Sequence, residues 1–400
     1  MNLALDPLFN HGIDFDVVVI VVVKTIAVFV MLLLAVLLYI WFLRKVIAKM
    51  QNRIGPDRAG PFGLFQSLAD GIKLFFKEQS EPNTADRRIF RVAPYLAVLP
   101  AFLAFSIVPI GGVVTIAGHR TFLQLADLPF GILWLLAMSG LGLYGVLLAG
   151  WSSGSKYPLL GSVRASAQLL SYEAAFGLAI VGVLVQANTL STRGIVIQQG
   201  WHGVKSIFNG DWYWLPAIVA LVIFVIAAVA ETNHPPFDLV EAEQELTGGF
   251  FTEYTGIKFA IFYLAEFMNV ITMCAIAVML FFGGPNAPGL GFLPADGWFN
   301  AWIMPVFWFM FKVIVLLFGT VWLRASLPRL RYDQLMDLGW KWLIELAFLA
   351  VMVTAVVIVA RDQGWDRWVA VPAAFGGAIF VLGLLRLCMP RRGESVSEVV

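Results

Sequence analysis

Residues 17–43 carry one charged side chain, Lys24, and eight further stretches of similar character follow along the chain. No other feature narrows the fold as much. About 20 apolar residues is the length a helix needs to cross the hydrocarbon core of a bilayer. Inside that core each backbone N–H and C=O must find a partner within the segment, so spans of this length have to be helical. The predicted spans are residues 17–43, 93–112, 131–150, 165–186, 212–230, 257–282, 301–323, 342–360 and 369–387. Composition agrees, with 60% of residues hydrophobic and 13% charged, against about 25% charged in soluble domains. The expected fold class is an all-α polytopic membrane protein: one transmembrane helical domain over residues 1–388, then a tail over residues 389–400.

The first span is too long for a cleavable signal peptide, follows acidic residues and lacks a small-residue cleavage site, so it is expected to be retained. Twenty of the 27 lysines and arginines fall in connections on one side of this arrangement and five on the other. Basic residues collect on the cytoplasmic side, which predicts an outer N-terminus and a cytoplasmic C-terminus. A net charge of +1 gives no reason to expect nucleic acid as a partner. Two cysteines, Cys274 and Cys388, are too few for a disulfide framework or a cluster site. The four histidines, His11, His119, His202 and His234, lie outside the apolar spans or at their ends. No metal site and no redox centre of the chain's own are therefore expected.

Residues 61–78, "PFGLFQSLADGIKLFFKE", are too short and too charged to span. Leu64, Phe65, Leu68, Ala69, Ile72, Phe75 and Phe76 recur at three-four spacing opposite Gln66, Asp70, Lys73 and Lys77. That pattern predicts an amphipathic helix lying in the cytoplasmic interface. From periodicity alone it reads first as a plain surface anchor.

Ionisable residues inside a span are costly and mark function unless they reach an interface. Lys24 is near the outer end of its span and is expected to snorkel. Lys312 lies midway along the seventh span, Glu173 is two turns into the fourth, Glu231 closes the fifth, Glu266 is central in the sixth, and Glu345 begins the eighth. Such groups either pair to pack helices or hold and pass protons, and both readings stay open here. The segment "ETNHPPFDLVEAEQELTGGFFTEY", residues 231–254, adds six carboxylates without a lysine or arginine. Pro235 and Pro236 stop the fifth span, and Asp238 with Glu241 three residues later predicts a new short helix opened by a capping box. Glu241 and Glu245 then repel one turn apart, so protons, a basic partner surface or this chain's own arginines must hold them.

Four stretches carry a family resemblance: "MQNRIGPDRAGPFGLFQSLADGIKLFFKE", "GSVRASAQLLSYE", "ETNHPPFDLVEAEQELTGGFFTEYTGIKFAIFYLAEF" and "LPRLRYDQLMDLGWKWL". They resemble the H-type membrane-subunit family of NADH-quinone oxidoreductase, respiratory complex I, over residues 44–360. The resemblance implies a membrane subunit in the prokaryotic cell membrane that forms much of a quinone chamber and its entrance, and links quinone reduction to proton translocation. It implies quinone, ubiquinone or menaquinone, as substrate, with FMN and iron–sulfur clusters only in partner subunits. The implied partners are soluble-arm subunits bearing the terminal cluster, small membrane subunits, antiporter-like subunits and lipid. For the chamber and its mouth it implies Arg44, Arg53, Phe62, Phe65, Asp70, Lys73, Glu78, Asp238, Glu241, Glu243 and Glu245. For the proton path it implies Glu173, Glu231, Glu253, Glu266, Lys312 and Arg324; no single catalytic residue is implied.

Two positions depart from the family pattern. Leu43 stands where the family has an acid, and His234 where it has arginine, so the local charge balance is not carried over. Competing classes are a related subunit of an energy-converting hydrogenase-type complex, a stand-alone ion transporter, and a structural anchor for a peripheral enzyme. Against the transporter stands the absence of a visible inverted repeat.

Overall fold

The computed structural model describes residues 6–9, 14–200, 212–214, 217–238, 248–286, 299–364 and 376. The ninth predicted span apart from residue 376, the tail, and the Glu241, Glu243 and Glu245 cluster lie outside the described residues. Among the described residues the chain is an all-α polytopic membrane protein with seven helices long and apolar enough to cross a bilayer.

The long helices are α1 (Phe15–Met50), α3 (Arg87–Phe105), α4 (Gly131–Ser152), α5 (Lys156–Ala187), α8 (Gly256–Phe281), α9 (Met304–Ser326) and α11 (Ile344–Asp362). Shorter ones are α2 (Gln66–Phe76), α6 (Thr192–Gln198), α7 (Ile218–Glu231) and α10 (Tyr332–Asp337). A π turn, Leu338–Leu343, joins α10 to α11, so helix runs on from Tyr332 through the eighth span. At 1.5 Å per residue α7 is about 21 Å long, well short of the hydrocarbon core.

Local chemistry explains several boundaries. Asp86 caps α3 by accepting from the Arg88 backbone N–H at 3.1 Å. The predicted second span, residues 93–112, is corrected at both ends, because α3 starts at Arg87 and stops at Phe105. Beyond Phe105, "SIVPIGG" brings a proline and two glycines that do not favour helix. The chain instead forms an antiparallel hairpin, β1 (Val113–Ile116) with β2 (His119–Phe122), where hydropathy predicts only a connection. Its turn, Ala117–Gly118, has positive φ at both residues, as a tight hairpin requires. The predicted fifth span, residues 212–230, has its helix only from Ile218 onward.

The central element is α8. Phe267, Met268 and all residues from Val270 to Phe281 are buried, with α3, α9, α1 and α7 packed around it. α5 is the second hub and touches α4, α7 and α11. Small residues allow the close crossings: a Cβ on Gly145 of α4 would lie 2.7 Å from the Ala97 nitrogen of α3.

α2 is the expected amphipathic helix, shorter than predicted and preceded by a 3-10 turn at Pro61–Gly63. Phe62, Phe65, Leu68, Ile72, Phe75 and Phe76 are exposed, an apolar face suited to lipid. Lys24 does not snorkel as expected. It turns inward, 3.3 Å from Asp6 and 2.9 Å from Thr121, and this pairing ties α1 to the hairpin.

Candidate functional site

One end of the helix bundle is organised by two ionic clasps on either side of α2. At its start Asp70 accepts from Arg44 of α1 at 2.6 Å, and Gln66 one turn earlier donates to the same carboxylate at 3.3 Å. Lys45 of α1 donates to the Pro56 carbonyl at 2.8 Å and closes the Gly/Pro-rich loop onto α1. Past the far end Glu81 receives Arg91 of α3 through two bonds, at 3.0 and 3.1 Å, and Lys258 of α8 at 2.5 Å. These cations hold the Glu81 carboxyl at about 2, with the Arg91 bond the larger cause and the Lys258 bond next. Beside this clasp, Phe90 stacks on Tyr254 with ring centroids 4.0 Å apart. Arg53 reaches Gln51, at 2.7 Å, while Lys73 and Glu78 are exposed.

The turn after α7 is fixed from two sides. Gln168 of α5, fully buried, donates from Nε2 to the carbonyls of Ala230 (3.0 Å) and Phe237 (2.8 Å). Asp238, also buried, pairs with Arg329 at 2.5 Å, and the Leu330 N–H donates to the Pro236 carbonyl at 3.1 Å. What holds Glu241 and Glu245 lies outside the described residues. Tyr172 of α5 donates to the Leu335 carbonyl at 3.0 Å, which binds α10 to the same assembly.

Within the bundle, Glu231 and Glu266 line one cavity of about 80 Å³ between α3, α4 and α8, together with Ser139, Asn233, Asn269 and Thr272. That volume accommodates several waters, since one needs roughly 10–15 Å³. Ser139 donates to one oxygen of Glu231. The other Glu231 oxygen and Asn233 Oδ1 are buried with no partner among the described residues, which suits water in the cavity. Along α8 the lining runs from Phe262 to Met273, about 16 Å at 1.5 Å per residue. A Cβ on Gly140 of α4 would lie 3.3 Å from Glu173 Oε1, and Glu173 lies within electrostatic range of Glu231. His234 sits beside Glu266, with Nδ1 3.4 Å from Oε1.

Other sequence-predicted residues fall elsewhere. Glu253 is half-buried just before α8, and Arg324 occupies the last turn of α9. Lys312 donates to the carbonyls of Phe282, Gly284 and Asn286 at 2.7–2.9 Å, closing the C-terminal end of α8. At the opposite end of the bundle from the clasps, burial raises the Asp127 carboxyl and the Arg193 charge partly offsets it. Among the described residues no cluster of three His, Cys, Asp or Glu side chains could hold a metal.

Residues 23–355 match the family described as NADH dehydrogenase. The chain belongs to the NADH dehydrogenase family. Curated relatives include the NADH-quinone oxidoreductase H subunit of Frankia alni, 50% identical over 91% of this chain and 79% of the relative. The same-named protein of Frankia casuarinae is 49% identical over 97% of this chain and 83% of its own. Three residues that organise this family member's site do not stand out in the sequence: Glu81, Gln168 and Ser139. Gln168 leaves a usable signal, because an amide inside an apolar span needs partners. Glu81 leaves none, as it lies in a connection and one of its two partners, Lys258, is 177 residues away.

Proposed function

We propose that the chain is the membrane subunit of a proton-pumping NADH-quinone oxidoreductase. It forms the membrane wall and mouth of the quinone chamber and carries the effect of quinone reduction into a chain of carboxylates. The observation that carries this reading is the shared cavity of Glu231 and Glu266, which brings six polar side chains and room for several waters into an apolar bundle, next to a turn held by Gln168 and Arg329. Electrons come from an iron–sulfur cluster of a soluble-arm partner, fed in turn by FMN, and quinone accepts two of them. The exposed apolar face of α2 offers the isoprenoid tail its entrance, with Phe62 and Phe65 at the rim and Arg44 and Asp70 fixing the helix. Reduction changes the charge facing Asp238 and the acidic stretch Glu241, Glu243 and Glu245. Glu231, Glu173 and Glu266 relay the change toward small membrane and antiporter-like subunits. The N-terminus is outside and the C-terminus cytoplasmic in the cell membrane.

The test is Glu231→Gln in the native complex, assayed for NADH-driven quinone reduction and proton pumping in membrane vesicles. Assembly is expected to survive and pumping to fall. Assembled variant complexes that pump normally would overturn the relay, and a chain that purifies alone with no such activity would favour an ion transporter.

A further inference from the structure

Resting on that reading, one buried titratable group in the same turn is still without a role. His234 is 3% exposed. Its Nδ1 lies 2.8 Å from the Thr232 carbonyl and 3.4 Å from Glu266 Oε1. A carbonyl oxygen only accepts, so the shorter contact requires the hydrogen to be on Nδ1 when the ring is neutral. Nε2 is then a bare acceptor, and it is buried with no partner among the described residues. The ring is steadied by Phe267, edge-on at 5.6 Å and 84°.

The charged and titratable groups around this ring come from several elements. Glu266 of α8 is the one in contact. Glu231 precedes His234 on the same segment, with Glu173 of α5 in its range. Asp238 follows it and is occupied by Arg329 at 2.5 Å. Tyr39 of α1 also packs against Phe267, at 5.7 Å, within range of Glu266 and of Arg324 from α9. Among these groups, Glu266 is the one placed to balance a charge on the ring directly.

We propose that His234 is a proton carrier that loads Glu266. A proton delivered by water forms an N–H bond at Nε2. The N–H bond at Nδ1 breaks, and its proton forms an O–H bond on Glu266 Oε1. One proton enters the ring and one leaves, so the ring ends neutral with its hydrogen on Nε2. Exchange with water restores the tautomer that donates to Thr232. Imidazole suits this relay because it can gain a proton at one nitrogen while losing one from the other. Glu266 also lines the cavity it shares with Glu231, so a proton placed there meets the water-sized space leading to the next carboxylate.

The experiment uses the whole complex in inverted membrane vesicles, with His234→Asn and His234→Gln beside the unchanged protein. Asparagine and glutamine retain an N–H donor but cannot titrate. Two quantities are read across the neutral pH range: NADH-driven quinone reduction with an uncoupler present, and protons moved per electron without it. Reduction is expected to stay within about twofold of the unchanged complex. Protons per electron are expected to fall severalfold in both variants, and the pH dependence of that ratio to flatten. A ratio and pH profile that match the unchanged complex in any assembled amide variant overturn the proposal, and mark His234 as a structural residue. Absence of NADH-driven quinone reduction in the unchanged complex is a different result: it removes the functional reading itself, and this proposal with it.

Discussion

Replacing Gln168 by leucine tests whether the turn carrying Glu231, His234 and Asp238 is held from α5. The amide Nε2 donates to two carbonyls that bracket the turn, Ala230 at 3.0 Å and Phe237 at 2.8 Å. Their losses differ. Ala230 keeps a second donor, the Asn233 N–H at 3.2 Å, so it gives up one ordinary hydrogen bond, about 0.5–1.5 kcal/mol. The buried Phe237 carbonyl has no second donor among the described residues, so it is stranded at a cost of about 1–3 kcal/mol. Leucine also removes Gln168 Oε1, which is buried without a partner among the described residues, and that relief offsets part of the loss. The net effect is about 2 kcal/mol, which corresponds to about a 30-fold change in a local opening equilibrium. Hydrogen exchange read by mass spectrometry checks it, because the Phe237 amide is bonded inside the turn, to the His234 carbonyl at 2.9 Å. Exchange in the peptide covering residues 229–238 is expected to speed up by about that factor while peptides from α3 and α4 stay unchanged. Unchanged exchange across the turn would refute the clamp, and uniform acceleration everywhere would show that Gln168 supports the whole bundle.

Glu81→Gln is expected to remove an acid-sensitive part of stability. Because Glu81 is held at about 2 when folded against an ordinary value of 4.5, its contribution is fully present above the ordinary value and disappears as pH falls toward about 2. Thermal melts of the variant and the unchanged protein should therefore differ at neutral pH and converge as pH falls from 4.5 toward about 2. Gly145→Ala drives a Cβ to 2.7 Å from the Ala97 backbone and is expected to cost about 1–3 kcal/mol, read as a lower melting temperature. The Arg44–Asp70 pair is 30–40% exposed, so a double-mutant cycle is expected to give a coupling below about 1 kcal/mol despite the 2.6 Å contact. Lys312→Met takes the donor from three carbonyls at the end of α8, and a loss of about 3 kcal/mol is expected in denaturant unfolding.

Hydropathy alone locates most of the long helices, because a bilayer forbids the alternatives and a span must be continuous in sequence. The boundaries are less legible where the deciding force is local backbone chemistry: α3 stops at Phe105, seven residues before the end of its predicted span, and a hairpin follows. The three-four pattern of α2 is readable, yet the clasps that orient it join Arg44 to Asp70 and Glu81 to Lys258, pairings that no local pattern encodes. The same limit applies to Lys24. Its depth in the span suggests snorkelling, while its partners Asp6 and Thr121 are supplied by distant segments that only folding brings near. The intramembrane acids are conspicuous in the sequence as costly groups, but only the fold gives Glu231 and Glu266 a common cavity.

Magnitudes separate the buried charges into two groups. Glu266 and His234 are 3.4 Å apart, and at an effective dielectric of 20 two unit charges at that distance interact by about 5 kcal/mol. Lys312 bonds to the Phe282 carbonyl, and Glu266 lies 16 residues back along α8, about 24 Å at 1.5 Å per residue. Over that distance the same dielectric leaves about 0.7 kcal/mol, half of what a tenfold shift in an equilibrium requires. A change of charge on Glu266 therefore acts strongly on His234 and hardly at all on Lys312 through space. Coupling between the two ends is then carried by packing, and α8, whose residues from Val270 to Phe281 are all buried, is the helix that joins them. Lys312 holds the end of that connection, so substitutions there should reach the carboxylates by loosening the helix and not by altering their field.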